Sequence, residues 1–184
     1  MKIVKLNYLS VLSFLMLFIA CTKPVDFNQL DDLLLEPVVE SSIFFFNAEA
    51  SEFFTGGTEQ SEVSDFVQID IFNNSFINNN LIKLEFVLDI ENSINRAYEL
   101  QLDFLDTNGD LLETFTISAD ASPNNSVIAN THTEVFEDEA LVRIKQSSIL
   151  NFTLRMLPGE PITTDTPGEI EVHSIGVFHL NIGG

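Results

Sequence analysis

The 184-residue chain has one cysteine, no tryptophan, two tyrosines and only eight Lys+Arg. Each shortage excludes something. A lone Cys cannot close an intrachain disulfide. Eight bases against 28 acids leave a formal net charge of −20. That balance argues against nucleic acid as a partner, because binding it needs clustered Lys/Arg to displace counterions. It also argues against electrostatic adsorption to anionic lipid. Carbohydrate platforms usually present Trp and Tyr, and 17 Phe are no substitute for their polar atoms. Catalytic signatures are missing too: there is no G-x-S-x-G, S-x-x-K or H-E-x-x-H. Gly56-Gly57 stands alone, without a phosphate-cradling glycine loop around it. Nothing is arranged to activate a nucleophile or shift a pKa, so the chain reads as a non-enzyme with no cofactor.

Metal ligands are scarce as well. His132, His173 and His179 show no H-x-x-x-H or Cys/His spacing. His173 and His179 lie six apart on one expected strand, which separates them by about 20 Å and keeps them off a shared zinc. Asp106-Thr107-Asn108-Gly109-Asp110 superficially resembles a calcium loop. The Gly and Glu that an EF-hand needs at loop positions 6 and 12 fall on Leu111 and Ile117. The Asn-Gly pair reads better as a hairpin turn. With 28 acids, carboxylate pairs at glycosidase spacing carry no information.

What is present starts at the N-terminus. Lys2 and Lys5 precede an apolar run from Leu9 to Ile19, interrupted only by Ser10 and Ser13. Ala20 and Cys21 follow, the layout of a secretory signal with a small residue before the cut. The 15 residues between Lys5 and Cys21 fall short of the roughly 20 that a membrane span needs. Residues 1–20 are therefore expected to be a signal peptide. Their loss removes two Lys and no acids, so six bases and 28 acids remain, a charge of −22. Residues 21–36 carry Pro24, scattered acids and no sustained period, and read as a tether. Leu33-Leu34-Leu35 is where contact with the folded domain is expected to begin.

From Pro37 the chain alternates as strands do. Ile82, Leu84, Phe86, Leu88 and Ile90 share one parity against Lys83, Glu85, Asp89 and Glu91, with Val87 out of place. Leu100, Leu102 and Phe104 repeat the pattern, as do Leu150, Phe152, Leu154 and Met156. One buried and one wet face is the habit of antiparallel sheets. Further strands are expected over 38–46, 66–72, 111–118, 131–136 and 169–182. In the last, Ile170 and Val172 are even, Ile175 and Val177 odd, Phe178 and Leu180 even, which predicts a bulge or bend at Gly176. Turns are expected at Asn78-Asn79-Asn80, Ser122-Pro123-Asn124-Asn125 and Pro158-Gly159-Glu160-Pro161. Glu137-Asp138-Glu139 before Ala140, Leu141 and Ile144, with Arg143 and Lys145 behind, predicts one short helix across an open end of the sheets.

The expected architecture is all-β over 37–184: an antiparallel β-sandwich, Ig-like or of a related type, with about eight strands and one short helix. The Cys…Trp…Cys signature of true Ig domains is missing. Phe44-Phe45-Phe46 and Phe53-Phe54 leave two readings open: a strand buried on both sides, or an exposed apolar strip or ligand cleft. Asn73-Asn74-Ser75, Asn124-Asn125-Ser126 and Asn151-Phe152-Thr153 match the glycosylation pattern but read as turn formers.

Phe18-Ile19-Ala20-Cys21 resembles the lipobox of bacterial lipoproteins, with Phe18 where Leu is usual. The resemblance implies that Cys21 receives lipid on its sulfur, palmitate included, and becomes the new N-terminus. Two or more acyl chains anchor stably, at about 0.8 kcal/mol per buried CH₂. Thr22, where an Asp would imply inner-membrane retention, implies a cell outer membrane destination. Asp26, Asp31 and Asp32 resemble the surface-export acids of Bacteroidota lipoproteins and read equally well as a solvated tether, so the membrane face stays open. The chain from Cys21 onward resembles a group of Bacteroidota outer-membrane lipoproteins. The residues that carry this are Asp26 to Asp32, Asn92-Ser93-Ile94-Asn95-Arg96, Ala121-Ser122-Pro123-Asn124, Glu134 to Leu141 and Asp165-Thr166-Pro167-Gly168. That likeness implies location and fold and supplies no mechanism. The expected function is a lipid-anchored, non-enzymatic structural or interaction module of the cell envelope, with an envelope protein as partner. The alternative is a binding protein for a glycan or an apolar small molecule.

Overall fold

A computed structural model describes residues 34–183. The signal peptide, Cys21 and the tether up to residue 33 lie outside the described residues. Ten strands and two α-helices follow in order. Strand β1 (Val38–Glu49) runs into a 3₁₀ turn, Ala50–Phe53, and a small ribbon, β2 (Phe54–Thr55) with β3 (Thr58–Glu59). Next come β4 (Glu62–Gln68), a 3₁₀ turn at Ile71–Asn73 and helix α1 (Ser75–Asn80). Strands β5 (Leu81–Asn92), β6 (Tyr98–Leu105), β7 (Leu111–Ala119) and β8 (Ile128–Phe136) lead to helix α2 (Asp138–Ile144). Strands β9 (Ile149–Met156) and β10 (Glu169–Leu180) complete the domain.

Two four-stranded antiparallel sheets face each other, ordered β1-β10-β5-β8 and β4-β9-β6-β7. Apart from the ribbon, the first strand pairs with the last and the second with the next to last. The remaining four pair inward in the same way, as β5 with β8 and β6 with β7. A long hairpin rolled on itself in this manner is a jelly roll, the eight-stranded double Greek key. The sandwich is thus of a type related to the Ig fold, whose strand order differs.

The period of two decides the core. Leu84, Phe86, Leu88 and Ile90 point inward from β5, and Leu100, Leu102 and Phe104 from β6. The phenylalanines fill the space between the sheets. Phe86 meets Phe104 edge-on at 5.6 Å, and Phe44 stacks on Phe152 at 5.1 Å. Such pairs add about 0.5–1.5 kcal/mol beyond their burial. Helix α2 forms where the acids and bases placed it. Asp138 and Glu139 lie in its first turn and Arg143 in its last, with Leu141 and Ile144 buried.

Three local expectations are corrected. The strand expected over 66–72 is β4, which ends at Gln68, and Ile71–Asn73 is a 3₁₀ turn closed by the Asn73 amide on the Asp70 carbonyl at 3.0 Å. Asn78-Asn79-Asn80 is the last half of α1 rather than a turn. The Asn74 side chain caps that helix by accepting from the Phe76 and Ile77 amides at 2.9 and 3.3 Å. Third, β10 has no bulge at Gly176. Its even positions point inward without a break, and Ser174 and Gly176 simply occupy two of them. The bulge lies opposite, on β1, where Ile43 and Phe44 face Ser174. A Cβ on Gly176 would sit 2.8 Å from the Phe178 ring and 3.1 Å from Ile43, so a neighbouring aromatic fills the place of a side chain.

Candidate functional site

Buried polar groups, surface depressions and sheet edges are the places where chemistry or binding could reside. Most of the Phe-rich segment turns into the core, as in the first reading of it, rather than lining a cleft. Phe44 is buried, Phe53 is fully buried against Tyr98 at 5.1 Å, and Phe46 meets Phe152 edge-on. Only Phe45 is well exposed, turned outward against His173 at 4.7 Å. The Phe-lined space between the sheets measures about 10 Å³. That is room for about one water, far below the roughly 300 Å³ of a ligand site.

The three histidines are kept apart. His132 lies on β8 beside Glu134 at 3.2 Å and stacks on Phe115 of β7. His173 lies on β10 with Glu171 at 3.5 Å, and His179 near its end with Glu85 at 3.2 Å. Lys83 donates to that Glu85 carboxylate at 2.6 Å and, helped by His179, holds it below the usual range. No group of three or more His, Cys, Asp or Glu is placed to hold a metal among the described residues.

Asp106-Thr107-Asn108-Gly109-Asp110 forms the turn between β6 and β7. The Asp106 carboxylate accepts from the amides of Asp110 at 2.9 Å and Asn108 at 2.7 Å, and from the Asn108 side chain at 3.0 Å. These bonds, the one from Asp110 foremost, lower its pKa. An oxygen committed to its own turn is a structural group.

Two buried polar groups escaped sequence reasoning. Arg96 is 7 % exposed and donates to the carbonyls of Leu157 and Glu160. It also lies 3.4 Å from the Glu59 carboxylate, which accepts the Ile162 amide at 3.0 Å. One guanidinium therefore ties the ribbon to the loop after β9. Tyr98 sits beside it, fully buried, and its hydroxyl finds no partner among the described residues. Burial pushes that phenol well above its ordinary pKa. Arg96 lies in the segment Asn92 to Arg96 that carried part of the lipoprotein likeness, yet no pattern marked it as buried.

A polar depression of about 330 Å³ is lined by Glu49, Ser51, Thr164, Asp165, Thr166 and Glu169, with Pro167 and Gly168. The Gly168 carbonyl accepts the Ala50 amide at 2.9 Å, which fixes the loop against β1. Gly168 has φ +104°, and a Cβ there would lie 2.5 Å from the Ser93 carbonyl oxygen, so no other residue fits. Carboxylates and hydroxyls converge here without an aromatic ring. The four edge strands β1, β8, β4 and β7 are the other open places. Glu134 on β8 shares the register parity of the core residue Phe136, and Asp65 on β4 pairs with Phe152. Charges on the inner side of an edge discourage strand addition. On β1, by contrast, Phe45 and Val38 are exposed.

No family model matches the chain. No curated protein matches it either. Solved structures do, at low identity. The chain is similar to the VP2 subviral particle of infectious bursal disease virus, with 10% identity and a TM-score of 0.45, over 78% of this chain and 32% of that one. It is also similar to a CBM4 structure, with 8% identity and a TM-score of 0.34, over 64% of this chain and 60% of that one. A third is the enzymatically active domain of tailspike protein 4 of bacteriophage CBA120, at 8% identity and a TM-score of 0.38. It spans 78% of this chain and 19% of that one. The chain thus covers about a third of the VP2 chain.

Proposed function

We propose that this chain is a lipid-anchored protein of the cell outer membrane that acts as a non-enzymatic structural or interaction module. One observation carries the reading: the sole cysteine of the chain, Cys21, stands directly after a basic start, an apolar run and Ala20. Attachment through that sulfur would leave a jelly roll with a filled core on a short tether. The polar groups described above support it further. Arg96 and Asp106 are both committed to holding loops. What is left for partners is surface: the β1 edge, the loops and the acidic depression.

Cys21→Ser tests the anchor. The variant is expected to lose palmitate label and to leave the membrane fraction, while the wild type keeps both. Unchanged fractionation of the variant, with label retained, would end the reading. Crosslinking in intact envelopes is expected to capture an envelope protein at fixed stoichiometry.

A further inference from the structure

The chain from Cys21 joins the sandwich at one particular end. Leu35 pairs with Ile182 through two backbone bonds, of 3.0 and 2.8 Å. At that end β1 and β5 begin and β8 and β10 finish. Both helices belong to it. The Asn181 amide donates to the Asn80 carbonyl at 2.8 Å, and Lys145, just past α2, donates to the Leu81 carbonyl at 2.8 Å.

Exposed hydrophobics gather at this end, beside the exposed acids Asp110 and Glu137 to Glu139. Leu34, Val38, Phe76, Ile82 and Val142 are 56%, 54%, 49%, 49% and 60% exposed. They come from β1 and the residue stretch before it, α1, β5 and α2, which the fold brings to one end. At the opposite end the ribbon, the loop after β7 and the loop after β9 show Val127 as the exposed large hydrophobic among the described residues. Glu49, Asp165 and Glu169 occupy its surface instead. Single exposed hydrophobics are ordinary, whereas a set gathered on one end marks a contact surface.

Chain length and charge select the occupant. The 13 residues from Thr22 to Leu34 reach at most roughly 45 Å, so a lipid on Cys21 keeps this end within reach of the bilayer. A second copy would bring like charge against like charge, at −20 for the whole chain. Glu137, Asp138 and Glu139 at the start of α2 are acidic and exposed, which suits zwitterionic headgroups rather than anionic ones. We infer that the tether end is the membrane-seating face: Phe76, Ile82 and Val142 rest in the interface of a zwitterionic bilayer, and the opposite end, with the depression around Glu49, Asp165 and Glu169, is presented away from it. The inference rests on the lipid-anchor reading and goes beyond it, since an anchored domain could equally stand clear of the surface.

The absence of Trp from the chain makes the test clean. Full-length lipidated Phe76→Trp, Val142→Trp and, at the far end, Thr164→Trp are each reconstituted in phosphatidylcholine vesicles with brominated acyl chains. Circular dichroism confirms that each variant folds as the wild type does. The first two are expected to be quenched and blue-shifted, at low and high salt alike, and the third to be unaffected. If all three respond alike while the protein still floats with the vesicles, the seating is wrong and the anchor stands. If the protein does not float, both fall. A blue shift that depends on protein concentration and not on bromine would assign the face to a second copy and overturn the inference.

Discussion

Tyr98 and Ser174 show how single residues in this core act in opposite senses. The Tyr98 hydroxyl is buried without a partner among the described residues. A buried unpaired hydroxyl lowers stability, so Tyr98→Phe is expected to leave stability unchanged or to raise it by about 1 kcal/mol in urea unfolding. The phenol also sets an alkaline limit. Its pKa is raised in the fold, so its contribution is complete below the ordinary phenol range, about 10, and is lost as pH rises beyond it. The Phe variant is expected to lose less stability than the wild type over that alkaline interval. Ser174 is the reverse case. Its hydroxyl oxygen accepts the Phe44 amide at 3.0 Å, at the bulge of β1 where the ladder has no partner to offer. Ser174→Ala leaves that amide unpaired and is expected to cost about 1–3 kcal/mol in the same assay. A hydrophobic-to-small pattern could not reveal either role, because both depend on what the facing strand does.

At the scale of elements, strands were legible wherever one face is buried and the other wet. The alternation of Leu84 to Glu91 and of Leu100 to Phe104 is the pleat itself, whereas Ile82 departs from it, exposed where the register with β10 shifts and Leu81 is buried instead. The acid-to-base order around Leu141 and Ile144 disclosed α2 in the same way. Reading failed where a local bond outweighed the pattern. The Asn74 cap turned a run of asparagines into a helical turn. In β10, Ile175 and Val177 are outward-facing apolar residues, half-buried on the wet face, and this mimicked a change of parity. The β6–β7 hairpin gives an element-level test. The Asp106 carboxyl is held below its usual pKa by turn hydrogen bonds, so its contribution is present above the ordinary carboxylate range and lost as pH falls through it. Asp106→Ala is expected to be less stable than the wild type at neutral pH, with the difference shrinking as pH falls below the ordinary carboxylate range, as thermal melts would show.

For the whole molecule, the dominant quantity is charge. All 28 acids follow Cys21 and only six bases accompany them. Several bases are already engaged: Arg96 with Glu59, Arg143 with Glu113 at 2.5 Å, and Arg155 with Glu62 at 3.3 Å. The remaining acids repel one another across the surface. Added salt is therefore expected to raise the melting temperature by a few degrees between low and about 0.5 M ionic strength, because it screens that repulsion. A flat or falling response would show that the acids are locally compensated.

Local pattern was enough for the alternating strands, the acid-to-base helix, the sandwich class and the motif at Cys21. Each of these is a local property, set by the period of side chains along one stretch of backbone or by adjacent residues. The jelly-roll order of the strands, the burial of Arg96 and Tyr98, and the bulge on β1 emerged from the folded chain alone. It alone gathered Leu34, Phe76, Ile82 and Val142 on one end. These depend on which distant strands pair, and a period of two fixes which side a residue faces without fixing its neighbour.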